Sequence, residues 1–275
     1  MSAIRDEYGE FTARVFARVW DLAKTRVSPE LRDDALYHLA TLEASKGMRP
    51  ALVMAAARAA AAPLPVRALL VRGASVAMLH EATLIMDDVL DESPLRRGCE
   101  SLFHRAGRVV ATAVAAELAT LAVELVDHDA SARELCRTLI REVCVAETLQ
   151  ERNRNAARPT HIELWMRIAR GDTGAIFRLA MALGGCNCRA LGDALAYLRH
   201  GLDDLEDLTE ADADFADVRD GVPTLPSCFT SATTLEGLRG VIPECRDWLR
   251  SFLTPRGAPP SFDPFFDDFA AALRG

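Results

Sequence analysis

The stretch LHEATLIMDDVLDESPLRRG, Leu79 to Gly98, decides how the rest of the chain is read. Leu79, Ala82, Thr83, Met86 and Leu90 recur at steps of three and four, an apolar stripe of helical period, so the stretch is expected to begin as a buried helix. The same helix carries Asp87, Asp88 and Asp91, and carboxylates four residues apart leave a helix on one face, one turn above each other. Like charges crowded in this way repel, and a cation at that face relieves the repulsion. One or two carboxylates form the oxygen-donor set that suits Mg²⁺, which keeps several waters and bridges to substrate phosphates. Just downstream, Arg96, Arg97 and Gly98 put two guanidinium forks on a turn, and such forks match phosphate oxygens in pairs. An acidic helix end followed by paired arginines points to a diphosphate. Taken alone, the cluster has a plain alternative, a solvated acidic face.

A second cluster bears on that alternative. Gly201 to Glu210 reads GLDDLEDLTE, in which Asp203, Asp204 and Asp207 repeat the spacing of Asp87, Asp88 and Asp91. Two such clusters on separate helical segments could face each other across a bundle and hold several divalent ions.

With both clusters in view, the chain resembles the trans-type isoprenyl diphosphate synthases, whose hallmark is two aspartate-rich motifs facing across an all-helical cavity. Lys46-Gly47-Met48-Arg49-Pro50 is similar to the family's Gly-Lys-Arg-x-Arg-Pro segment, and His80 stands where the family has a diphosphate-binding histidine. Arg96-Arg97-Gly98 matches its Arg-Arg-Gly. Asp172-Thr173-Gly174-Ala175 resembles its Lys-Thr-Gly/Ala segment, and Asp220 to Pro226 its Gly-Lys-x-Thr-Leu-Pro loop. The resemblance spans most of the chain. It implies an all-α fold of the isoprenoid synthase type, a single large helical bundle around a central cavity, with residues 1–275 as one domain.

For the chemistry, the resemblance implies about three Mg²⁺ ions clamped by Asp87, Asp91 and Asp203. Asp88 and Asp207 would complete or orient the shells, with Asp204 counted among the catalytic carboxylates. Isopentenyl diphosphate would rest without metal on Lys46, Arg49, His80 and Arg97, and Arg96 and Thr173 join the substrate-binding set. The expected reaction ionises an allylic diphosphate, condenses it with isopentenyl diphosphate and eliminates a proton. Ala82 and Thr83, one turn before the first cluster, are small where family members that stop at fifteen carbons commonly have aromatics. The expected product is therefore longer, the twenty-carbon geranylgeranyl diphosphate. A homodimer is expected, with a heterodimer as the alternative.

Several positions depart from the family pattern. Asp172 and Val222 replace lysines, Met86 a histidine, Ala116-Glu117 a Gly-Asp pair and Arg199-His200 a Phe-Gln pair. These departures keep two rivals open: a terpene cyclase or lyase on the same scaffold, and a low-activity partner subunit of a heteromeric synthase. The retained second-substrate residues argue for condensation over cyclisation, and two complete aspartate motifs argue against an inert subunit. Arg170 and Arg219 lie nearest in sequence to the two lost lysines.

Composition agrees with this reading. A chain of 275 residues with 50% hydrophobic residues can bury a sizeable core, and Ala, Leu and Arg abound where strand signals are scarce. A net charge of −8 with no basic stripe argues against a nucleic-acid partner. Local cations must then attract any anionic substrate. Seven irregularly spaced cysteines fit a reducing compartment, and the run from Ala51 to Ala62 is too short to span a bilayer. A soluble, cytoplasmic protein without stable membrane insertion is expected.

Along the chain, Phe11, Val15, Val19 and Leu22 set a helical stripe, and Ser28-Pro29-Glu30 reads as the N-cap of a second helix. A turn at Gly47 should turn Lys46 and Arg49 toward a cavity. Segments 109–126, 131–153, 160–184 and 191–208 read as helices. Gly171 and Gly174 inside the third suggest a kink or a close backbone approach. Thr209 to Pro226 reads as a loop. His38, His104, His128 and His161 show no ligand spacing, and Trp20, Trp165 and Trp248 read as packing residues.

Overall fold

Leu79 to Leu90 lies inside a long helix, α4 (Val66–Leu90), around which the N-terminal part of the protein is assembled. The computed structural model describes residues 2–62, 64–154, 160–209, 221–255 and 257–274. These are all-α apart from one hairpin of two-residue strands. They divide into two compact units, Met1–Arg137 with Leu179–Cys186, and Thr138–Arg178 with Asn187–Gly275.

In the first unit α4 packs against α1 (Ala3–Arg26), α3 (Met48–Ala59) and α5 (Leu102–Glu124), while α2 (Arg32–Ala40) lies on α1 and α5. The stripe on α1 behaves as expected, with Phe11, Val15, Val19 and Leu22 buried. The stripe on α4 does not. Every residue from Gly73 to Ala82 is buried, whereas Leu90, the last stripe residue, is 55% exposed. A helix enclosed on all sides buries a stretch of its length rather than one face. Close contact is achieved through small residues: a Cβ on Gly73 would come within 2.8 Å of Val15. α4 and α5 are both long and apolar enough to cross a membrane by length and composition, but 67% of the most apolar window of α4 is buried inside the protein.

The expected N-cap at Ser28 is not formed, and α2 starts only at Arg32. Both the N–H and the hydroxyl of Ser28 are spent on Glu117 of α5, at 3.0 and 2.8 Å. This contact gives Glu117, which departs from the family pattern, a structural role.

The second unit holds α7 (Ile162–Gly171), α9 (Arg189–Thr209), α10 (Leu235–Arg239), α11 (Ile242–Arg250) and α12 (Asp263–Ala272). α6 (Ala130–Asn153) and α8 (Thr173–Gly184) each contribute to both units. The segment read as one helix over 160–184 is broken at Asp172, whose ψ of −95° is not helical. Both causes suggested by the glycines are present. The break lies between them, and a Cβ on Gly171 would come within 2.7 Å of Ala146 and 3.2 Å of the Glu142 carbonyl. Trp165, Tyr197, Trp248 and Phe252 form one ring cluster at the heart of this unit. Most of the expected loop from Thr209 to Pro226, with Arg219 and Asp220, lies outside the described residues. All seven cysteines are free.

Candidate active site

After α4 the chain turns back through a hairpin of β1 (Leu95–Arg96) and β2 (Cys99–Glu100). Its two central residues, Arg97 and Gly98, have φ of 54° and 78°, the left-handed pair that a tight primed turn requires. The turn folds both arginines onto α4. Arg96 Nε donates to Asp88 Oδ1 at 3.0 Å, with Nη2 on the same oxygen. Arg97 makes a paired contact with Glu81, at 3.0 and 2.9 Å, and also donates to Thr41 Oγ1 at 2.9 Å. His38 Nε2 lies 3.0 Å from the same Glu81 carboxylate.

The two arginines were expected to present open forks to phosphate, and in the structure each is anchored to a carboxylate of α4. The reason is burial. Glu81 is 1% exposed and Asp88 is 0% exposed, and a charge so enclosed needs a bonded counter-charge. Sequence reasoning assigned Glu81 no role. The available signal was a glutamate within an otherwise apolar run, where an unpaired carboxylate is not tolerated. His38, which showed no ligand spacing in the sequence, is buried and hydrogen-bonded within this network.

His80, next to this network, is buried, and its Nδ1 makes no hydrogen bond among the described residues. Burial above all, then the cations Arg49, Arg97 and Arg96, hold its pKa well below the usual histidine value. The imidazole is therefore neutral near pH 7, a hydrogen-bonding group among three guanidiniums rather than a fourth charge. A buried neutral histidine binds its proton more weakly than in the unfolded chain, so stability should fall as pH drops below about 6.5. His80→Gln should flatten that part of the curve. A pH titration of the urea midpoint checks this, and an unchanged slope in the variant would count against it.

Gly47 has a φ of 67°, and a Cβ there would come within 2.3 Å of Thr12, so the expected turn is present and demands glycine. Lys46 is exposed beside it and Arg49 is half-buried.

In the second unit α9 carries the other cluster. Asp204 is buried, and its Oδ2 accepts from Trp165 Nε1 at 2.8 Å and from the Leu225 N–H at 2.7 Å. Trp165 is thus a positioning residue as well as a packing one. Burial pushes the Asp204 pKa up. Burial likewise raises that of Asp88, with Arg96 opposing it. The middle carboxylates of the two clusters thus play the same part, since each faces inward and ties down the segment that follows. The first and fifth positions of a cluster share a helix face, and the second is turned by about 100° from the first. Asp87 and Asp207 are accordingly half-buried, and Asp91 and Asp203 are exposed. The six carboxylates expected as one catalytic set therefore differ in burial, with Asp88 and Asp204 enclosed and hydrogen-bonded to neighbouring segments and the other four at least partly open to solvent.

Around the helix break, Asp172 lies 3.5 Å from His200 Nδ1, and the Thr173 hydroxyl lies 3.2 Å from Asp172 and 3.3 Å from His200. Two departures from the family pattern have therefore become each other's partners. Arg199 contacts Asp203, and Glu206 at 3.3 Å. Arg170 is exposed, with its Nε on the Met166 carbonyl at 3.2 Å.

The outward carboxylates fit magnesium by chemistry. They are oxygen donors only, and among the described residues no three His, Cys, Asp or Glu side chains converge as a metal cage. Mg²⁺ is held by one or two carboxylates with water and substrate phosphate filling its octahedron. Asp87 and Asp91 offer one such pair, and Asp203 and Asp207 another.

A family model described as polyprenyl synthetase matches residues 32–236. The chain is 30% identical over 232 residues to nonaprenyl diphosphate synthase of Mycobacterium tuberculosis, covering 78% of this chain and 68% of that protein. It is 29% identical over 198 residues to octaprenyl diphosphate synthase of Escherichia coli, covering 66% and 60%. A polyprenyl synthase of Caulobacter crescentus, solved with calcium and isoprenyl diphosphate, superimposes with a TM-score of 0.79 over 99% of this chain and 97% of that one, at 22% identity. At that identity the likeness speaks for the fold.

Proposed function

The chain belongs to the polyprenyl synthetase family and is a prenyltransferase of the prenyl diphosphate synthase type, and from this premise we propose its reaction: Mg²⁺-dependent condensation of isopentenyl diphosphate with an allylic diphosphate to a linear trans-prenyl diphosphate. The observation that carries the reading is the division within each cluster, one carboxylate fully buried as an anchor and two that reach solvent in whole or in part, Asp207 with one oxygen enclosed. Bound magnesium would draw off the charge that develops on the leaving diphosphate. In this reading Asp87, Asp91 and Asp203 would hold about three such ions, Asp207 would complete or orient their shells, and residues 1–275 are one domain, as the resemblance implies.

The chain's own residues bind and orient the substrates. Arg49 and exposed Lys46 offer cations to isopentenyl diphosphate, and neutral His80 hydrogen-bonds without adding charge. Arg96 and Arg97 support that site from their anchored positions, each with N–H groups beyond those its carboxylate uses. Thr173 is assigned to the allylic diphosphate. The reading places the enzyme in the cytoplasm, supported by the burial of α4 within the protein. It includes a dimer, supported by apolar surface on α5, where Val109 is 82% exposed.

The twenty-carbon product is revised. Small side chains at Ala82 and Thr83 remove a floor but set no upper limit, so they bound the length only from below. The relatives at 30% and 29% identity are named for nine and eight prenyl units. We take the product to be of that long-chain class. Ala82 is 5% exposed on α4, one turn before Asp87. Ala82→Phe should shorten the main product by several units, seen by chromatography of the dephosphorylated alcohols. An unchanged distribution would move the length-setting wall elsewhere.

The function is tested by incubating the protein with Mg²⁺, labelled isopentenyl diphosphate and each allylic starter. Linear prenyl alcohols after phosphatase treatment are the expected outcome. A hydrocarbon formed from one substrate alone would instead support the cyclase, and turnover only on adding a second subunit would support the partner role.

A further inference from the structure

Arg199 stands four residues before Asp203 on α9, and its side chain is only 17% exposed. Its counter-charges are Asp203 and Glu206. Asp203 is one of the carboxylates assigned to magnesium above, so an internal cation already sits where a divalent ion must come. A guanidinium is always charged, and Mg²⁺ and Arg199 cannot share the same carboxylate oxygen without strong like-charge repulsion. Metal binding at Asp203 Oδ1, the oxygen that Arg199 meets, would therefore displace Arg199 from it. A largely buried cation that loses a counter-charge needs another anion. Among the described residues Glu206 then remains as its counter-charge, through one N–H group at 3.3 Å, which leaves the other N–H groups of the fork for an arriving anion. The anion that arrives with magnesium is the diphosphate.

We infer that Arg199 is a diphosphate-binding residue of this chain, held by Asp203 and Glu206 until Mg²⁺ displaces it onto the substrate. This inference rests on the magnesium-diphosphate reading above. It makes Arg199 an antagonist of the metal when diphosphate is absent and an ally when diphosphate is present. Removing its charge should therefore have opposite effects in the two conditions.

The test measures Mn²⁺ affinity, through the paramagnetic signal of the free ion, for the wild-type chain and Arg199→Gln with and without saturating inorganic diphosphate. Without diphosphate the variant should hold Mn²⁺ about tenfold more tightly, and with it about tenfold more weakly. The tightening should vanish when Asp203→Asn is added, since the competed carboxylate is then gone. If Arg199→Gln does not fold, Arg199→Lys, which keeps the charge but loses the paired N–H geometry, must show the same inversion at smaller size. Tighter binding in both conditions would reduce Arg199 to a repulsive neighbour, and weaker binding in both to a structural ion pair. Either result overturns the inference. If diphosphate leaves wild-type Mn²⁺ affinity unchanged, the magnesium-diphosphate reading itself fails. If the wild type shows that coupling and the variant shows no inversion, only the role of Arg199 fails.

Discussion

Asp87→Ala and Asp203→Ala should each lower kcat by about three orders of magnitude, because charge stabilisation at a leaving group contributes roughly 4 kcal/mol and each 1.4 kcal/mol is tenfold. The fold should survive both changes. Asp87 is half-buried at the end of α4, and the Asp203 side chain is 46% exposed. Relief of like-charge crowding should leave the melting temperature of Asp87→Ala level or slightly higher, whereas Asp203→Ala also removes one of the two counter-charges of Arg199 and should melt somewhat lower. The contrast within each cluster sharpens the test. Asp88→Ala strands Arg96, and Asp204→Ala strands the Trp165 and Leu225 N–H groups, so both should lose stability first. Steady-state kinetics with thermal melts by circular dichroism read both quantities. Near-normal turnover in both Asp87→Ala and Asp203→Ala would remove the two-cluster metal site from consideration.

The largest effect on stability is expected at a residue that carries no chemistry. Glu81→Ala should cost about 3–5 kcal/mol, since removing one partner of a buried ion pair leaves the other uncompensated. Here Arg97, His38 and Thr41 all lose their arrangement together. For a chain of this size that is a fall in Tm on the order of 10 °C. Glu81→Gln keeps the shape but turns an amide donor toward Arg97 or His38, and should fall in between. Burial acts to raise the pKa of Glu81, yet the His38 and Arg97 hydrogen bonds hold it well below the usual carboxylate range. A depressed carboxylate contributes stability that is present above its unfolded pKa and is lost as pH falls through the folded one. The wild type should therefore lose this contribution only toward strongly acid pH, and Glu81→Ala should lack that acid-dependent loss. Arg97 and His80 sit beside Glu81, so KM for isopentenyl diphosphate should rise in the same variant. A Glu81→Ala protein melting within a degree or two of wild type would refute the account.

The sequence by itself determined the helical class, the long apolar α4, the two aspartate clusters and the family. Those features are local: helical period, cluster spacing and the glycine at a left-handed turn are properties of neighbouring residues in the chain. It also showed which positions depart from the family pattern, Asp172, Arg199 and His200 among them, but not what they do. Tertiary structure decided which carboxylate of each cluster faces inward, because that depends on which side of the helix another element covers. It decided that Asp172 meets His200, that Trp165 and Leu225 hold Asp204, and that Arg97 and His38 converge on Glu81. The partners in each pair lie far apart in sequence, and only folding brings them within hydrogen-bond distance. Once they are buried there, the cost of leaving a charge without a partner in a low-dielectric interior fixes the roles that the linear pattern left equivalent.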